Sequence, residues 1–317
     1  MCKNNGHNNS VKEIKRVAII GAGAIGSYFI VGLSQKLGEN LEVIAEGERK
    51  ERLIKNGIVV NGERIPLNVK TPEQAAGADL LIVAVKYGAL KEIIPMVEKI
   101  IDDHTIVMSP LNGVESEEII GSKIGMEHMV FSIMKISSQR VDNKINYNPD
   151  ITMGVFFGEK DGSVSERILA IQDLLEGSGV NYSICDDIER TIWYKYALNI
   201  SRNIPQAIVN CEFGAYDTSE HVSYISKKMR EEVVKVAAAK GIDISDENNP
   251  ACSVASTSPK ARFSTLQDLD AKRTTEIEML SGALVRMGKE LGIETPYNDF
   301  AYHTVKALEE KNSGKIS

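Results

Sequence analysis

A chain of 317 residues with 43% hydrophobic and 26% charged content has the composition of an ordinary globular protein and enough length for two folded domains. A net charge of −7 argues against a nucleic-acid partner, because binding phosphate backbones asks for a basic face. No apolar run reaches the length needed to cross a bilayer, and Cys2, Cys185, Cys211 and Cys252 form no C-x-x-C pair. With the five histidines showing no ligand spacing, neither a disulfide framework nor a metal site is expected. A cytoplasmic protein with no membrane partner is expected.

The polar, Asn-rich residues 1–15 read as a disordered N-terminal tail. Next comes RVAIIGAGAIG, residues 16–26, in which an unbroken aliphatic run suits a strand buried on both faces of a parallel sheet. Gly21 makes the tight turn, Gly23 lets backbone approach a pyrophosphate, and Gly26 lets the following helix pack closely. That helix, residues 24–37, begins at Ala24 and Ile25 and points its free N–H groups at the phosphates. The strand before the glycines and the helix after them mark a dinucleotide site rather than a chance match.

A second strand at 41–45 places Glu46 where an acidic residue takes the ribose 2′-hydroxyl of NAD and a basic one accommodates the 2′-phosphate of NADP. Arg49 or Lys50, one turn later, could answer such a phosphate; the alternative is that all are a solvated helix start. Residues 55–67 read as a hairpin, with Asn56-Gly57 and Asn61-Gly62 as turn residues. Residues 78–85 (ADLLIVAV) form another buried strand, followed by Lys86 at the strand end where open α/β sheets hold ligands, so that it could reach cofactor phosphates or ribose; a lone surface lysine is the other reading. The strand at 105–108 leads to Asn112-Gly113, where the asparagine amide can both donate and accept; turn chemistry alone is the other reading. Strands at 129–136 and 151–157 and a helix at 163–177 complete this half.

From Asp186 onward the periods are helical. Lys195, Asn199 and Asn203 fall four apart and therefore along one helix face. Two asparagines, poor helix formers, are not what a merely solvated face selects. A long helix over 219–241, a Ser/Asn/Pro-rich loop over 248–259, one or two helices within 263–292 and a last helix from Pro296 follow, with a frayed tail from Glu309. The expected fold class is α/β: a Rossmann-type parallel sheet domain over 16–185, then an all-helical domain over 186–317.

Taken together, these residues resemble the ketopantoate reductase (2-dehydropantoate 2-reductase) family over nearly the whole chain. The resemblance is carried by Gly21-Ala22-Gly23-Ala24-Ile25-Gly26, by Asn112-Gly113, by Trp193-Tyr194-Lys195 with Asn199 and Asn203, and by Ser264-Thr265-Leu266-Gln267-Asp268 with Thr275-Glu276-Ile277. It implies that Lys195 is the general acid for reduction of a keto group and that Glu276 bonds the substrate and helps hold that lysine. It further implies that Asn199, Asn203 and Ser264 bind a small keto acid, with Asn112 between cofactor and substrate and Lys86 near the cofactor. NADPH is the cofactor the resemblance implies, and a homodimer through the helical domain is its family-level expectation.

Three departures stand out. Glu46 occupies a place where many members carry an arginine, which opens NADH as the cofactor. The proline after Asn203 is displaced, to Pro205, and Lys272-Arg273 stands where Gly-Arg is usual. The last two leave another 2-keto or hydroxy acid open as substrate; a non-catalytic NAD(H) sensor is the reading from outside enzymology.

Overall fold

A computed structural model describes residues 13–136, 138–141, 144–246 and 257–317. The chain separates into two compact units. The first is Met1–Val85, Ala89–Leu111 and Glu117–Ile188; the second is Lys86–Gly88, Asn112–Ser116 and Glu189–Ser317. Lys86 and Asn112, which chain order puts in the sheet half, thus group with the helical residues.

The first unit is built on strands β1 (Val17–Ile20), β2 (Leu41–Ile44), β3 (Ile58–Val60), β4 (Glu63–Ile65), β5 (Val69–Lys70), β6 (Leu80–Val83), β7 (Ile106–Met108), β8 (Met129–Lys135), β9 (Ser138–Val141), β10 (Lys144–Tyr147), β11 (Gly154–Gly158) and β12 (Tyr182–Ile184). The main sheet runs β12-β11-β8-β7-β6-β1-β2-β5. From β5 to β8 the pairings are all parallel, while β11 runs antiparallel to β8. In that order β1 and β6 are neighbours although far apart in sequence, so the chain reverses its direction of winding there and opens the crevice in which such sheets bind ligands. Their burial explains the continuous aliphatic runs: Val17, Ile19, Leu81 and Ile82 are 0% exposed. The helices are α1 (Ala24–Leu37), α2 (Gly47–Asn56), α3 (Leu90–Ile100), α4 (Ser116–Ile124) and α5 (Glu166–Leu175). Phe29, Ile30 and Leu33 of α1 join the sheet core.

Several details differ from the sequence reading. Asn61 and Gly62, both at positive φ, do turn β3 into β4. Asn56-Gly57 instead ends α2, the Gly57 amide bonding the Leu53 carbonyl. The β3–β4 hairpin is half of a second sheet, β4-β3-β10-β9, whose β9 and β10 escaped prediction because they are short and β10 is half exposed. Of the residues read as a tail, 1–12 lie outside those described, whereas Ile14 is buried and the Lys15 and Arg16 amides each donate to Asp79 at 3.0 Å.

The second unit is helical: α6 (Ile188–Leu198), α7 (Ile204–Val209), α8 (Ala215–Thr218), α9 (Glu220–Ala239), α10 (Ser264–Asp270), α11 (Ala283–Leu291) and α12 (Pro296–Asn312). Ser219 caps α9 through the Val222 amide, and α12 persists past Glu309 to Asn312. Most of the loop expected at 248–259 falls outside the described residues. Its core gathers Trp193, Tyr196, Ile200, Val233, Ile277 and Leu284. A helix-terminal carboxylate is buried here: Glu232 takes the Tyr297 and Asn298 amides, each at 2.9 Å, and so closes the first turn of α12.

Among the described residues no helix is long and apolar enough to cross a membrane, and no cluster of three or more His, Cys, Asp or Glu side chains could hold a metal.

Candidate active site

The glycine loop between β1 and α1 uses each of its three glycines differently. Gly21 has φ +105, and a Cβ there would meet the Ala84 carbonyl oxygen at 2.5 Å, so both the turn and the close approach to the end of β6 require glycine. A Cβ on Gly26 would lie 1.9 Å from the Gly21 carbonyl oxygen. A Cβ on Gly23 would meet nothing within 4 Å. Gly23 also occupies the N-cap of α1 and supplies no side-chain cap to the first N–H groups of that helix. Nothing within the protein asks for glycine at that position; a ligand approaching the backbone does. A pyrophosphate fits there, since the helix end offers donors and positive potential.

At the end of β2, Glu46 is the N-cap residue of α2, exposed and without a cap hydrogen bond of its own; Arg49 is exposed one turn on. Lys50 Nζ reaches the Gln74 side chain at 3.4 Å.

In the second unit, Asn112 is the centre of the arrangement. Its Oδ1 accepts from Lys195 Nζ at 2.8 Å, and its Nδ2 donates to Glu276 Oε2 at 3.2 Å. The amide orientation follows from its partners, because an ammonium needs an acceptor and a carboxylate needs a donor. Lys195, Asn112 and Glu276 are all half-buried. Burial raises the Glu276 carboxyl above its ordinary range, against the opposing pull of the Asn112 hydrogen bond and the Lys86 charge. Two anchors hold these groups in place. Thr275 is fixed by Glu309, whose Oε1 takes both its amide and its hydroxyl at 2.7 Å. Gly113, at φ +95, lies so close to Met279 that a Cβ would fall 2.6 Å from the Met279 Cγ.

Lys86 points along the same region, its Nζ 3.4 Å from Asp268 Oδ2. Arg273 Nε holds the other oxygen of that carboxylate at 2.8 Å. Ser264 is exposed at the start of α10, and Asn203 Nδ2 bonds its Oγ at 3.4 Å.

Asn199 and Asn203 lie in a feature that the sequence reading missed. They bound a π-helical turn, Asn199–Asn203, inserted between α6 and α7. Pro205 supplies a reason: it has no N–H for the carbonyl one turn back and its ring crowds that carbonyl, so the helix widens ahead of it. A second π-helical turn, Glu278–Gly282, directly follows Glu276. A tyrosine hydroxyl donates to a carbonyl in each turn, Tyr216 to Arg202 and Tyr196 to Leu280, the latter at 2.7 Å.

Comparison with known proteins follows the same division. The family model for ketopantoate reductase PanE/ApbA matches residues 17–158, and the model for the C-terminal part of ketopantoate reductase PanE/ApbA matches residues 187–309. The 2-dehydropantoate 2-reductase of Archaeoglobus fulgidus is 29% identical over 301 residues, covering 94% of this chain and 99% of that protein. A PanE/ApbA family ketopantoate reductase from Ralstonia eutropha JMP134 superposes with a TM-score of 0.79 at 24% identity, covering 94% and 99% of the two chains. The ternary structure of D-mandelate dehydrogenase with NADH and anilino(oxo)acetate gives a TM-score of 0.80 at 25% identity, with the same coverage.

Proposed function

The chain belongs to the ketopantoate reductase family, and from that premise we propose that it reduces 2-dehydropantoate (ketopantoate) to pantoate, the step that serves pantothenate and coenzyme A synthesis. The observation that carries this reading is the Asn112 bridge, which holds an ammonium and a carboxylate on the two ends of one amide.

In this reading the Gly21–Gly26 loop would hold a nicotinamide cofactor, with Gly23, Ala24, Ile25 and Gly26 toward its phosphates, and that cofactor would supply hydride for the keto carbon. Lys195 Nζ gives a proton to the keto oxygen, where negative charge develops as the carbonyl is reduced. The lysine regains its proton from solvent. Asn112 fixes the ammonium through Oδ1, and Glu276, tied to the same amide, offers its other oxygen to a substrate hydroxyl. Asn199, Asn203 and Ser264 take the carboxylate and hydroxyl ends of the substrate, and Lys86 matches a lysine that the family keeps near its cofactor.

NADPH is the cofactor we assign, with Arg49 meeting the 2′-phosphate; Glu46 favours NADH, and the balance of the two sets the preference. A cytoplasmic homodimer completes the reading. Support for the dimer comes from Tyr224 on α9 and Tyr297 and Phe300 on α12, which are 53%, 37% and 69% exposed.

A second reading, a reductase or dehydrogenase for another 2-keto or hydroxy acid, is favoured by Lys272-Arg273 beside Asp268 and by the likeness to D-mandelate dehydrogenase. Oxidation of NADPH and NADH, followed side by side with ketopantoate and a panel of 2-keto acids, separates the two. Ketopantoate preferred over the panel supports the first reading; preference for another keto acid replaces it with the second. Cofactor binding without turnover of any keto acid would leave only an NAD(H) sensor. In the same assay Glu46→Arg shifts the preference toward NADPH; an unchanged ratio would remove Glu46 from the ribose.

A further inference from the structure

The segments that carry Lys86 and Asn112 are short, and little regular hydrogen bonding holds them. Besides the bonds of Lys86 to Asp268 and of Asn112 to Lys195 and Glu276, one cluster joins both segments to α11 and α12. Tyr87, next to Lys86, donates its hydroxyl to Glu115 Oε2 at 2.7 Å. Glu115 lies three residues after Asn112, and the same oxygen accepts from the Arg286 guanidinium of α11 at 3.1 Å. Arg286 also reaches the Tyr87 hydroxyl at 3.4 Å and the Glu278 carboxylate at 2.6 Å, the latter at the start of the second π-turn. Tyr302 of α12 holds the other Glu278 oxygen at 2.8 Å. The guanidinium is thus the common partner of three stretches that hold candidate site residues: 86–88, 112–116 and 276–282.

We infer that Arg286, with Glu115 and Tyr87, is a positioning device that fixes Asn112, and through it Lys195, for proton transfer. This inference rests on the reductase reading of the same site. The effect of these three residues passes through the backbone of 112–116. Arg286 suits the task because its planar fork can hold two carboxylates and a phenol in one fixed geometry, which a lysine cannot. The Tyr87 hydroxyl stays protonated, since burial and the adjacent Glu115 raise it. It therefore remains the donor at every working pH.

The side chains of Arg286 and Glu278 are 41% and 49% exposed, so that ion pair adds little to global stability. Displacing a catalytic group by a fraction of an ångström is costly in rate. A loss of kcat out of proportion to any loss of Tm is therefore the signature, and a merely structural role would not give it. The experiment compares Arg286→Met, Arg286→Lys and Glu115→Gln with the unsubstituted full-length protein. It combines hydrogen exchange of 86–88 and 112–116 with steady-state kinetics and melting.

The expected result is faster exchange in both segments, with kcat down about tenfold for Arg286→Met while the cofactor KM and Tm hold. Arg286→Lys should recover part of the rate. On an Asn112→Ala background Arg286→Met should cost no more than about twofold, because both changes act through one group. Unchanged exchange in 112–116, or full additivity with Asn112→Ala, would overturn the inference. If the unsubstituted protein turns over no keto acid, the reductase reading fails by itself. Exchange then still decides whether Arg286 fixes these segments, and unchanged exchange would overturn that too.

Discussion

Around Gly21, Gly23 and Gly26 the property that matters is backbone shape, whereas around Asn112, Lys195 and Glu276 it is side-chain polarity assembled from stretches up to 164 residues apart. The first arrangement fits within six consecutive residues, so its geometry is local, and each glycine is required by a turn, a contact or an open approach. The second exists only after the helices pack. Its members are individually unremarkable residues, made significant by one amide between an ammonium and a carboxylate. A site encoded in backbone can be read directly from sequence; a site encoded in side chains needs tertiary structure or relatives to be seen.

Substitutions at two glycines break the comparison most sharply. Gly26→Ala drives a methyl into the Gly21 carbonyl, so the protein should lose about 2 kcal/mol or more in denaturant unfolding, along with its cofactor binding. Gly23→Ala meets open space and should cost only about 0.5–1 kcal/mol, the difference between glycine and alanine as an N-cap, yet it should weaken cofactor binding strongly in a direct titration. If Gly23→Ala binds NADPH and NADH as the unsubstituted protein does, the loop is not the phosphate seat.

In the helical unit, the raised Glu276 carboxyl reports stability given up for a charged site. Below the ordinary carboxylate range the group is protonated both folded and unfolded, and no penalty applies. As pH rises the unfolded chain ionises first, so folding loses stability until the folded group also ionises, after which the cost is constant. Glu276→Gln, which can still accept from Asn112, should therefore melt higher than the unsubstituted protein at neutral pH, with a gain that fades on acidification, while turnover falls. A gain independent of pH would show that burial of the charge is not the cause.

A smaller effect is expected at Lys272, a non-glycine residue with φ +52 just after α10. Lys272→Gly relieves that left-handed conformation at the expense of greater unfolded-chain freedom, a net gain of about 0.5–1 kcal/mol in chemical denaturation. A loss of stability would mean that the lysine side chain is itself engaged.

The parallel sheet was legible because its strands are buried on both faces and so read as continuous aliphatic runs, as in 17–20 and 80–83. Half of the second sheet, the β3–β4 hairpin, was legible from Asn61-Gly62, but β9 and β10, of four residues each, were not. In the candidate site, the four-residue spacing of Lys195, Asn199 and Asn203 was visible, but the π-turn that carries the two asparagines was not. Its one local sign is Pro205, a residue that reads first as a helix break rather than as a widened helix. Arg286, Glu115 and Tyr87 gave no signal at all, because nothing in their local sequence distinguishes them from a solvated charge or a core aromatic.

Turnover and cofactor affinity of Lys195→Ala beside the unsubstituted protein, with ketopantoate as substrate, decide whether Lys195 is the proton donor. For a proton donor kcat falls by about 10³-fold while NADPH and NADH bind as before. Turnover retained near the unsubstituted rate in the folded variant would contradict that role.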